Sequence, residues 1–256
     1  MACLKVLVVI PARLDSERLP RKPLIDLGGR SLIVRVWERV SALAGVDRVL
    51  IAADSEEVAA ECRRVGADVE LTDPALTSGT HRVAAAVRQR AASVECVVNV
   101  QGDEPFVGED AVSEAVRAVR SGWDVGTVGT PVRTVDAWRD PAVVKVVRDD
   151  NGRALYFSRA PIPHPRDRAP TPDELSGEGY LRHVGVYAYQ PEALQRWVEL
   201  PPAPLEAIER LEQLRPLAAG MAIGVGLVVD AARGIDTEAD VRWARGRLRG
   251  GERVAG

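Results

Sequence analysis

Apolar and polar positions along the first hundred residues fall into blocks that predict strands and helices in turn. A strand is predicted over 4–10, because it contains an unbroken apolar run over 7–10 that stops at Pro11, and such a run is typical of a strand buried on both faces of a parallel sheet. Apolar residues then recur at helical spacing between 32 and 43. Further strands are predicted over 48–53, 67–71 and 96–100, with helices around 58–65 and 83–91 between them. This alternation predicts an α/β fold with a mainly parallel sheet and helices on both faces.

The second half of the chain departs from this alternation and predicts a hairpin. Two apolar runs, 143–148 and 153–158, flank the sequence Asp149-Asp150-Asn151-Gly152, which is a strong hairpin signal. A proline-rich loop is predicted over 161–180. The remaining pattern predicts a strand over 182–189, an amphipathic helix over 205–217, a strand over 222–229 and a closing helix over 238–248.

Composition limits the class of protein. The chain has 256 residues, of which 46% are hydrophobic, and this is enough for one large core. A net charge of −3 argues against a nucleic-acid partner, and no apolar stretch approaches the roughly 20 residues that a membrane span needs. Cys3, Cys62 and Cys96 follow no pairing pattern and the first residues lack a signal-peptide pattern, so we expect buried thiols and a cytoplasmic location.

The loop after the first predicted strand is unusually cationic. Four cations would repel one another in an ordinary turn, and prolines stiffen the segment, so the pattern favours a bound polyanion over a solvated basic loop. Open α/β sheets bind ligands past the carboxyl ends of their strands. Neither a Walker loop nor a GxGxxG motif occurs, so side-chain charge is predicted to bind the phosphates. The four cations are Arg13, Arg18, Arg21 and Lys22.

Two aspartates are candidate metal ligands. Asp103 and Asp236 each follow a predicted strand, and carboxylates from separate strand ends suit a Mg²⁺ ion shared with a triphosphate. A turn aspartate and a helix N-cap, respectively, are the structural alternatives. The chain has no CxxC or HExxH motif, so no zinc site is predicted.

Other side chains near the predicted strand ends suit a nucleotide. Lys22 offers a compact charge for the transferring phosphate, and Arg13 and Arg18 offer planar forks for the phosphates that leave. Small donors at Ser78, Gly79 and Thr80 open a predicted helix, where a simple cap is the alternative. The candidate nucleotide-binding set is completed by Pro11, Ala12, Ser16, Ala53, Asp54 and Gln101.

Six blocks of the sequence, in order, resemble those of the CMP-sugar-acid synthetases, above all the 3-deoxy-manno-octulosonate (KDO) cytidylyltransferases. They are PARLDSERLPRKPL, NVQGDEP, ALYFSRAPIP, RHVGVYAY, PLEAIERLEQLR and GIDTEAD. The resemblance implies a Rossmann-like nucleotide-diphospho-sugar transferase fold in one domain over 1–256. It also implies a homodimer, in which a hairpin and loop excursion at about 143–190 covers the acceptor and forms the dimer contact.

The same resemblance implies a reaction and its residues. CTP and an acidic acceptor such as KDO would give a CMP-acid and pyrophosphate, with Lys22 and Arg13 catalytic and Mg²⁺ on Asp103 and Asp236. The S-G-T segment would contact the pyrimidine. From the residues alone, Arg159 follows an aromatic strand and suits a carboxylate anchor. His183 and Tyr187 share one face of another predicted strand, where a core histidine and a core tyrosine are the alternative. Glu212 and Gln213 would otherwise be surface residues of a helix. By resemblance the acceptor set is Arg159, His183, Tyr187, Glu212 and Gln213.

Two departures from the family pattern leave the acceptor open. His81 stands where the family has an acidic residue, and Arg21 where the KDO enzymes usually have glycine, so we expect a less negative crevice. Three lysines against 31 arginines suggest a GC-rich genome, and many GC-rich actinobacteria lack the lipopolysaccharide that KDO serves. A small phosphonate acid in a specialised pathway is therefore an alternative acceptor. A non-catalytic nucleotide-binding regulator is the alternative from another class.

Overall fold

The computed structural model describes residues 4–16, 18–88 and 94–250. Predictions that involve Cys3 and Ala91 lie outside these residues. The chain divides into two units, one formed by 1–109 with 232–256 and the other by 110–231. The prediction of one domain over 1–256, with an excursion at about 143–190, stays a prediction. No helix in the described part of the chain is long and apolar enough to cross a membrane.

The elements follow the chain in an order that begins with alternating strands and helices. They are β1 (Leu4–Ala12), a 3₁₀ helix (Lys22–Leu24), α1 (Leu32–Ser41), β2 (Arg48–Ala53), α2 (Glu56–Arg63), β3 (Asp68–Leu71), α3 (Gly79–Val87), β4 (Val94–Asn99), α4 (Glu109–Arg120), β5 (Val125–Pro131), α5 (Val135–Arg139), β6 (Lys145–Arg148), β7 (Ala154–Ser158), α6 (Pro172–Leu175), β8 (Leu181–Tyr189), α7 (Pro191–Glu199), α8 (Pro204–Glu209), α9 (Leu214–Ala218), β9 (Ile223–Leu227) and α10 (Glu238–Arg249).

The first unit has a parallel sheet in the order β3-β2-β1-β4. Val8 pairs with Val49 on one side and with Val98 on the other, and its side chain is fully buried. This confirms the predicted buried strand, whose apolar residues are covered on both faces. The carboxyl ends of β1, β2 and β4 therefore lie together at one edge of the sheet.

The second unit has a mixed sheet in which β5 pairs antiparallel with β8 and parallel with β9. The predicted hairpin is confirmed as β6 and β7, and β6 also pairs with β8. Its turn is closed by Asp149 Oδ1, which accepts hydrogen bonds from the N–H groups of Asn151 and Arg153 at 2.9 and 2.8 Å, and Gly152 adopts φ +85°.

The second unit also contains elements that the pattern of the sequence did not predict. No element was predicted over 109–131, where the structure has α4 and β5. The two pack closely, because a Cβ atom on Gly126 would lie 2.0 Å from the carbonyl oxygen of Ala115. A glycine strand of this kind lacks the β-branched run that marked β1, so its signal in the sequence is weak.

The predicted helix over 205–217 is wrong in its continuity. The structure has two short helices, α8 and α9, with Arg210 between them at φ +52°. A continuous helix would place Pro216 in its interior, where the ring clashes with the preceding turn and one backbone hydrogen bond is lost. The break instead places Pro216 in the first turn of α9, where a missing N–H costs nothing.

Both cysteines in the described residues are buried thiols that form no disulfide, as predicted for Cys62 and Cys96. Burial raises the pKa of the Cys62 thiol to about 12, so that this sulfur stays protonated and unreactive near neutral pH.

Candidate active site

A cavity of about 250 Å³ lies in the first unit, beside the carboxyl ends of β1 and β4 and the start of α3. Most of the predicted nucleotide residues line it. They are Pro11, Ala12, Arg13, Ser16, Lys22, Ser78, Gly79 and Gln101, and the predicted metal ligand Asp103 lines the cavity with them. Arg18, Ala53, Asp54 and Thr80 were predicted with them and are not among the lining residues.

Gly102 explains how the loop after β4 reaches this cavity. A Cβ atom at this position would lie 2.6 Å from the carbonyl oxygen of Pro11, so only glycine permits the loop to pass so close to the end of β1. The close approach places Asp103 at the rim of the cavity next to Lys22.

Lys22 connects the two predicted metal ligands. Its Nζ atom donates a short hydrogen bond to Asp103 Oδ2 and another, 2.9 Å long, to Asp236 Oδ1. The side chain of Lys22 is only 15% exposed. Burial alone would lower the pKa of Lys22, but the charge of Asp103 and the hydrogen bonds to both carboxylates outweigh it and raise the pKa. The three groups therefore form a charged cluster with a net charge of −1.

The prediction that Asp236 ends a strand is wrong. β9 ends at Leu227, and Asp236 lies just before α10, whose N-cap is Thr237. The alternative role of Asp236 as the helix N-cap is therefore also wrong, because the N-cap is the next residue, Thr237. Asp236 reaches Lys22 because the N–H of Ile235 donates to the carbonyl of Asp103 at 2.9 Å, which joins the segment before α10 to the loop after β4.

The cations of the β1 loop have separate partners in the structure. Arg18 donates to Asp236 Oδ1 at 3.0 Å, and Arg13 Nε donates to the carbonyl of Asp15 at 3.1 Å. Arg21 forms an ion pair with Glu57 and does not line the cavity. The expectation that Arg21 makes the crevice less negative is therefore wrong, because its charge is neutralised outside the cavity.

Ser78 both caps α3 and lines the cavity, so the two readings of this residue are compatible. Its Oγ accepts a hydrogen bond from the N–H of His81 at 3.3 Å and lies 2.8 Å from His81 Nδ1. His81 itself does not line the cavity, and Thr80 is buried in the helix. Asp54 has a structural contact, because both of its carboxylate oxygens accept from the N–H of Leu14 at 3.1 Å.

Arg82 is a cavity residue to which the sequence analysis gave no role. It is 2% exposed, and it donates to Thr72 Oγ1 at 2.5 Å and to the carbonyl oxygens of Asp73 and Leu76 at 3.3 and 3.4 Å. Burial lowers the pKa of Arg82, an effect that the charge of Asp54 opposes. The residue fixes the segment that leads into Ser78. In the sequence, Arg82 stands directly before Val83, the first apolar residue of the helix predicted over 83–91, and this position was the available signal.

Two of the predicted acceptor residues, His183 and Tyr187, lie in an aromatic cluster of the second unit. Their ring centroids are 5.3 Å apart, which confirms that they share one face of β8. Thr127 Oγ1 lies 2.9 Å from His183 Nε2 and 2.8 Å from the carbonyl oxygen of Val186, so it connects the imidazole to the backbone of β8. Burial lowers the pKa of His183 to about 3 and raises that of Tyr187.

Arg159, the predicted carboxylate anchor, is bound to backbone in this structure. Its guanidinium donates to the carbonyl oxygens of Glu209, Pro141 and Arg210 at 2.8, 2.9 and 3.4 Å. Glu209, which the sequence analysis did not single out, accepts from Ser158 Oγ and from the N–H of Arg159 at 2.6 and 2.9 Å. These contacts fix the end of β7 to the end of α8.

Lys145 is a second residue that the sequence analysis missed. It is fully buried, and its ammonium donates to the carbonyl oxygens of Asp140, Val143 and Arg159 at 2.9, 2.5 and 2.7 Å. Burial lowers the pKa of Lys145. Its rarity was a usable signal, because the chain has only three lysines.

The reading of Glu212 and Gln213 as surface helix residues is wrong. Both lie between α8 and α9, and Gln213 is 5% exposed. The charge of Glu212 contributes to the raised pKa of Tyr187, which places the carboxylate within electrostatic reach of the phenol.

The carboxylates beside Lys22 fit a hard divalent cation. Among the described residues no group of three or more His, Cys, Asp or Glu side chains could hold a metal ion. Asp103 and Asp236 nevertheless converge on one cation, the Lys22 ammonium. Two carboxylates suit Mg²⁺, which usually completes its shell with water and substrate phosphates.

Comparison with known proteins gives a consistent result. A family model described as cytidylyltransferase matches residues 7–223. The chain is 51% identical over 238 residues to a 3-deoxy-manno-octulosonate cytidylyltransferase of Gemmatimonas aurantiaca, covering 92% of this chain and 91% of the relative. It is 45% identical over 255 residues to a protein of the same name from Chromohalobacter salexigens, covering 98% and 99% of the two chains.

Solved structures agree with the sequences. The structure of CMP:2-keto-3-deoxy-manno-octonic acid synthetase complexed with CTP superposes with a TM-score of 0.88 at 35% identity, covering 96% of this chain and 99% of the other. A 4-diphosphocytidyl-2C-methyl-D-erythritol synthase from Anaerococcus prevotii, at 16% identity and a TM-score of 0.60, shares the fold alone. The predicted nucleotide-diphospho-sugar transferase fold is confirmed, and the chain belongs to the cytidylyltransferase family, among its 3-deoxy-manno-octulosonate cytidylyltransferases.

Proposed function

We propose that this enzyme transfers CMP from CTP to KDO and releases pyrophosphate. The observation that carries the proposal is the convergence of Asp103 and Asp236 on Lys22 at a cavity lined by the predicted nucleotide residues. The similarity to KDO cytidylyltransferases supports the choice of acceptor.

The chemistry follows from the charges around the cavity. A hydroxyl oxygen of the acceptor attacks the α-phosphorus, and the bond from that phosphorus to the oxygen bridging to the β-phosphate breaks. Lys22 stabilises the charge that develops on the α-phosphate, because its ammonium is already held in place by two carboxylates. Arg13 and Arg18 bind the leaving pyrophosphate with their planar donors.

We propose that Asp103 and Asp236 hold Mg²⁺ when CTP is bound. The ion would supply positive charge at the phosphates and make the acceptor hydroxyl easier to deprotonate. Ser78 and Gly79, at the N-terminal end of α3, line the cavity and contact the base, and we expect these small donors to favour a pyrimidine over a purine.

The acceptor is assigned to the second unit. His183 stays neutral down to a pH of about 3, so it offers a hydrogen-bonding nitrogen and no positive charge to a sugar hydroxyl. Arg159 supplies the positive charge that binds the carboxylate of the acceptor. The guanidinium uses those of its N–H groups that do not donate to backbone carbonyl oxygens. Glu212 and Gln213 complete the set.

The other readings have less support. The relatives are named for KDO, and none of those compared is named for a phosphonate. The pairing of Arg21 with Glu57 also removes one of the two reasons for expecting a more anionic acceptor. A regulator that only binds nucleotide has no need for two carboxylates beside Lys22.

A panel of acids tests the acceptor assignment. The protein is incubated with CTP, Mg²⁺ and either KDO, N-acetylneuraminic acid or 2-hydroxyethylphosphonate, and the CMP adducts are measured by mass spectrometry. We expect CMP-KDO as the main product. A phosphonate adduct formed faster than CMP-KDO would reverse the assignment, and no adduct with any acid would support the regulator.

A homodimer is part of the same proposal. The second unit exposes four large apolar side chains, Leu155, Leu205, Ile208 and Val229, at 55%, 40%, 78% and 79%. Exposed apolar residues of this size are frequent at protein interfaces. Light scattering coupled to gel filtration is expected to give twice the chain mass, and Ile208→Asp is expected to shift the distribution toward the monomer. A monomeric wild-type protein at micromolar concentration would contradict it.

A further inference from the structure

Asp240 is a buried carboxylate one turn into α10, and its contacts are directed at the segment that carries Asp236. Its Oδ2 atom accepts hydrogen bonds from the N–H groups of Asp236 and Thr237 at 3.1 and 2.8 Å and from Thr237 Oγ1 at 2.7 Å. The guanidinium of Arg233 lies 2.5 Å from the other oxygen, Oδ1, as an ion pair. The Asp240 carboxylate therefore contacts Arg233, which precedes Asp236 in the chain, as well as Thr237, which follows it.

A second capping box in the chain shows what a helix start alone requires. In α6, Glu174 accepts from the N–H of Thr171 at 2.7 Å and forms two 2.8 Å hydrogen bonds with Arg168. The motif is the same, but the Glu174 side chain is 44% exposed whereas that of Asp240 is 3% exposed. Burying a carboxylate costs free energy, so a cap alone does not explain the burial of Asp240.

Asp240 holds the main chain of Asp236 while other groups hold its side chain. The N–H of Asp236 donates to Asp240 Oδ2 at 3.1 Å, and the carboxylate of Asp236 accepts hydrogen bonds from Lys22 and Arg18 at 2.9 and 3.0 Å. The position of Asp236 is therefore fixed both at its backbone and at its side chain.

We propose that Asp240 is a positioning residue that fixes Asp236 for binding of the metal–nucleotide complex. The inference rests on the proposed function of Asp236 as a metal ligand. The backbone hydrogen bond from Ile235 to Asp103 completes the frame, because it ties the same turn to the second carboxylate. Asp240 itself does not touch the substrate in this account. It sets the position of a group that does.

The test compares two capping boxes. Asp240→Ala, Asp240→Asn and the matched control Glu174→Ala are purified, and thermal unfolding establishes which of them fold. Free Mn²⁺ is then measured by electron paramagnetic resonance in titrations with CTP present, and steady-state kinetics give kcat and the KM for KDO. Mn²⁺ takes the same oxygen ligands as Mg²⁺ and can be counted directly.

We expect Asp240→Ala to weaken Mn²⁺ affinity about tenfold, as is typical when the support of a metal ligand is removed. Asp240→Asn, which keeps an oxygen acceptor but loses the charge, should lie between Asp240→Ala and wild type. The KM for KDO should stay unchanged in both, and Glu174→Ala should bind Mn²⁺ like wild type. If Asp240→Ala does not fold, the Asp240→Asn variant carries the same test.

The results separate this inference from the proposed function. A folded Asp240 variant with wild-type Mn²⁺ affinity overturns the positioning role, as does an equal loss in Glu174→Ala. Wild-type protein that binds Mn²⁺ with CTP but transfers nothing to KDO overturns the proposed acceptor and leaves the Asp240 comparison valid. Wild-type protein that binds no Mn²⁺ with CTP overturns both.

Discussion

The ammonium group of Lys22 lies 2.9 Å from the carboxylate of Asp236, although the two residues are 214 positions apart in the sequence. The same ammonium contacts Asp103, so it occupies the point on which the two carboxylates converge. A divalent cation held by the same carboxylates would compete for that point. Phosphates offer Lys22 a different anionic partner, so we infer that binding of CTP and of the metal ion favour each other.

Replacing Lys22 tests this relationship. Lys22→Met should lower turnover by about 10²-fold or more, because a preorganised donor to the developing charge is lost. The same variant should bind Mn²⁺ more tightly than wild type in the absence of CTP, because the carboxylates lose their internal counter-ion. Lys5→Met removes an exposed lysine from β1 and serves as the control. Turnover within threefold of wild type in Lys22→Met would contradict the assigned role.

Removing either carboxylate tests the metal site. Asp103→Ala and Asp236→Ala should abolish Mg²⁺-dependent release of pyrophosphate, whereas Glu238→Ala, which removes an exposed carboxylate two residues from Asp236, should leave it unchanged. The melting temperature should change little, since Lys22 keeps one carboxylate partner in each variant. Near-normal activity in either variant would show that its carboxylate is not a ligand.

The parts of the fold that could be predicted are those with a strong local pattern. The run of buried residues in β1 and the Asp149-Asp150-Asn151-Gly152 turn each specify their own conformation through β-branched residues or turn chemistry. β5 was not predicted, because its glycines leave room for α4, a tertiary requirement without a local signature. The break between α8 and α9 depends on Pro216 and on a left-handed Arg210, and only the proline is visible in the sequence.

The candidate site shows the same division. Asp103 follows a recognisable strand and glycine, so its position was predictable. The contact of Asp236 with Lys22 depends on the path of the chain from β9 to α10, which no local pattern encodes. Arg82 and Lys145 are buried charges whose partners are mostly backbone carbonyl oxygens, and the sequence does not show which carbonyl oxygens need them.

Ser78 provides a test of base recognition. Ser78→Ala should lower kcat/KM for CTP by about fivefold, since a hydrogen bond to a neutral group is typically worth about 1 kcal/mol. The variant also loses a helix cap, and Ser55→Ala removes the equivalent cap of α2 in the same unit, where Ser55 Oγ accepts from Val58. The loss of kcat/KM should occur only at position 78. Wild-type protein should prefer CTP over ATP, and equal rates with the two nucleotides would contradict the assignment of this segment to the base.

The pH dependence of stability reports on His183. Its pKa in the folded protein is about 3, below the ordinary 6.5, so below pH 6.5 the unfolded chain binds a proton that the folded chain does not. The stability from this residue is complete above pH 6.5 and is lost as the pH falls toward 3. Each pH unit in that range costs about 1.4 kcal/mol. The free energy of unfolding is measured by urea denaturation between pH 7.5 and 4.5. Below pH 6.5 its slope against pH should be shallower in His183→Gln than in wild type, by the equivalent of one proton.

The exposed residue His164 supplies the control for that experiment, because it lies in the loop between β7 and α6 and has no role in the account. His164→Gln should keep the wild-type slope. A wild-type slope in His183→Gln as well would mean that His183 titrates normally in the folded protein.

The most direct test of the central claim is the stoichiometry of pyrophosphate and CMP-KDO in one reaction. Purified protein with CTP and Mg²⁺ should release pyrophosphate only when KDO is added, in a ratio of one to one with CMP-KDO, and Asp236→Ala prepared in parallel should release none. Pyrophosphate formed without KDO, or none formed with it, would contradict the assignment of this enzyme as a CTP:KDO cytidylyltransferase.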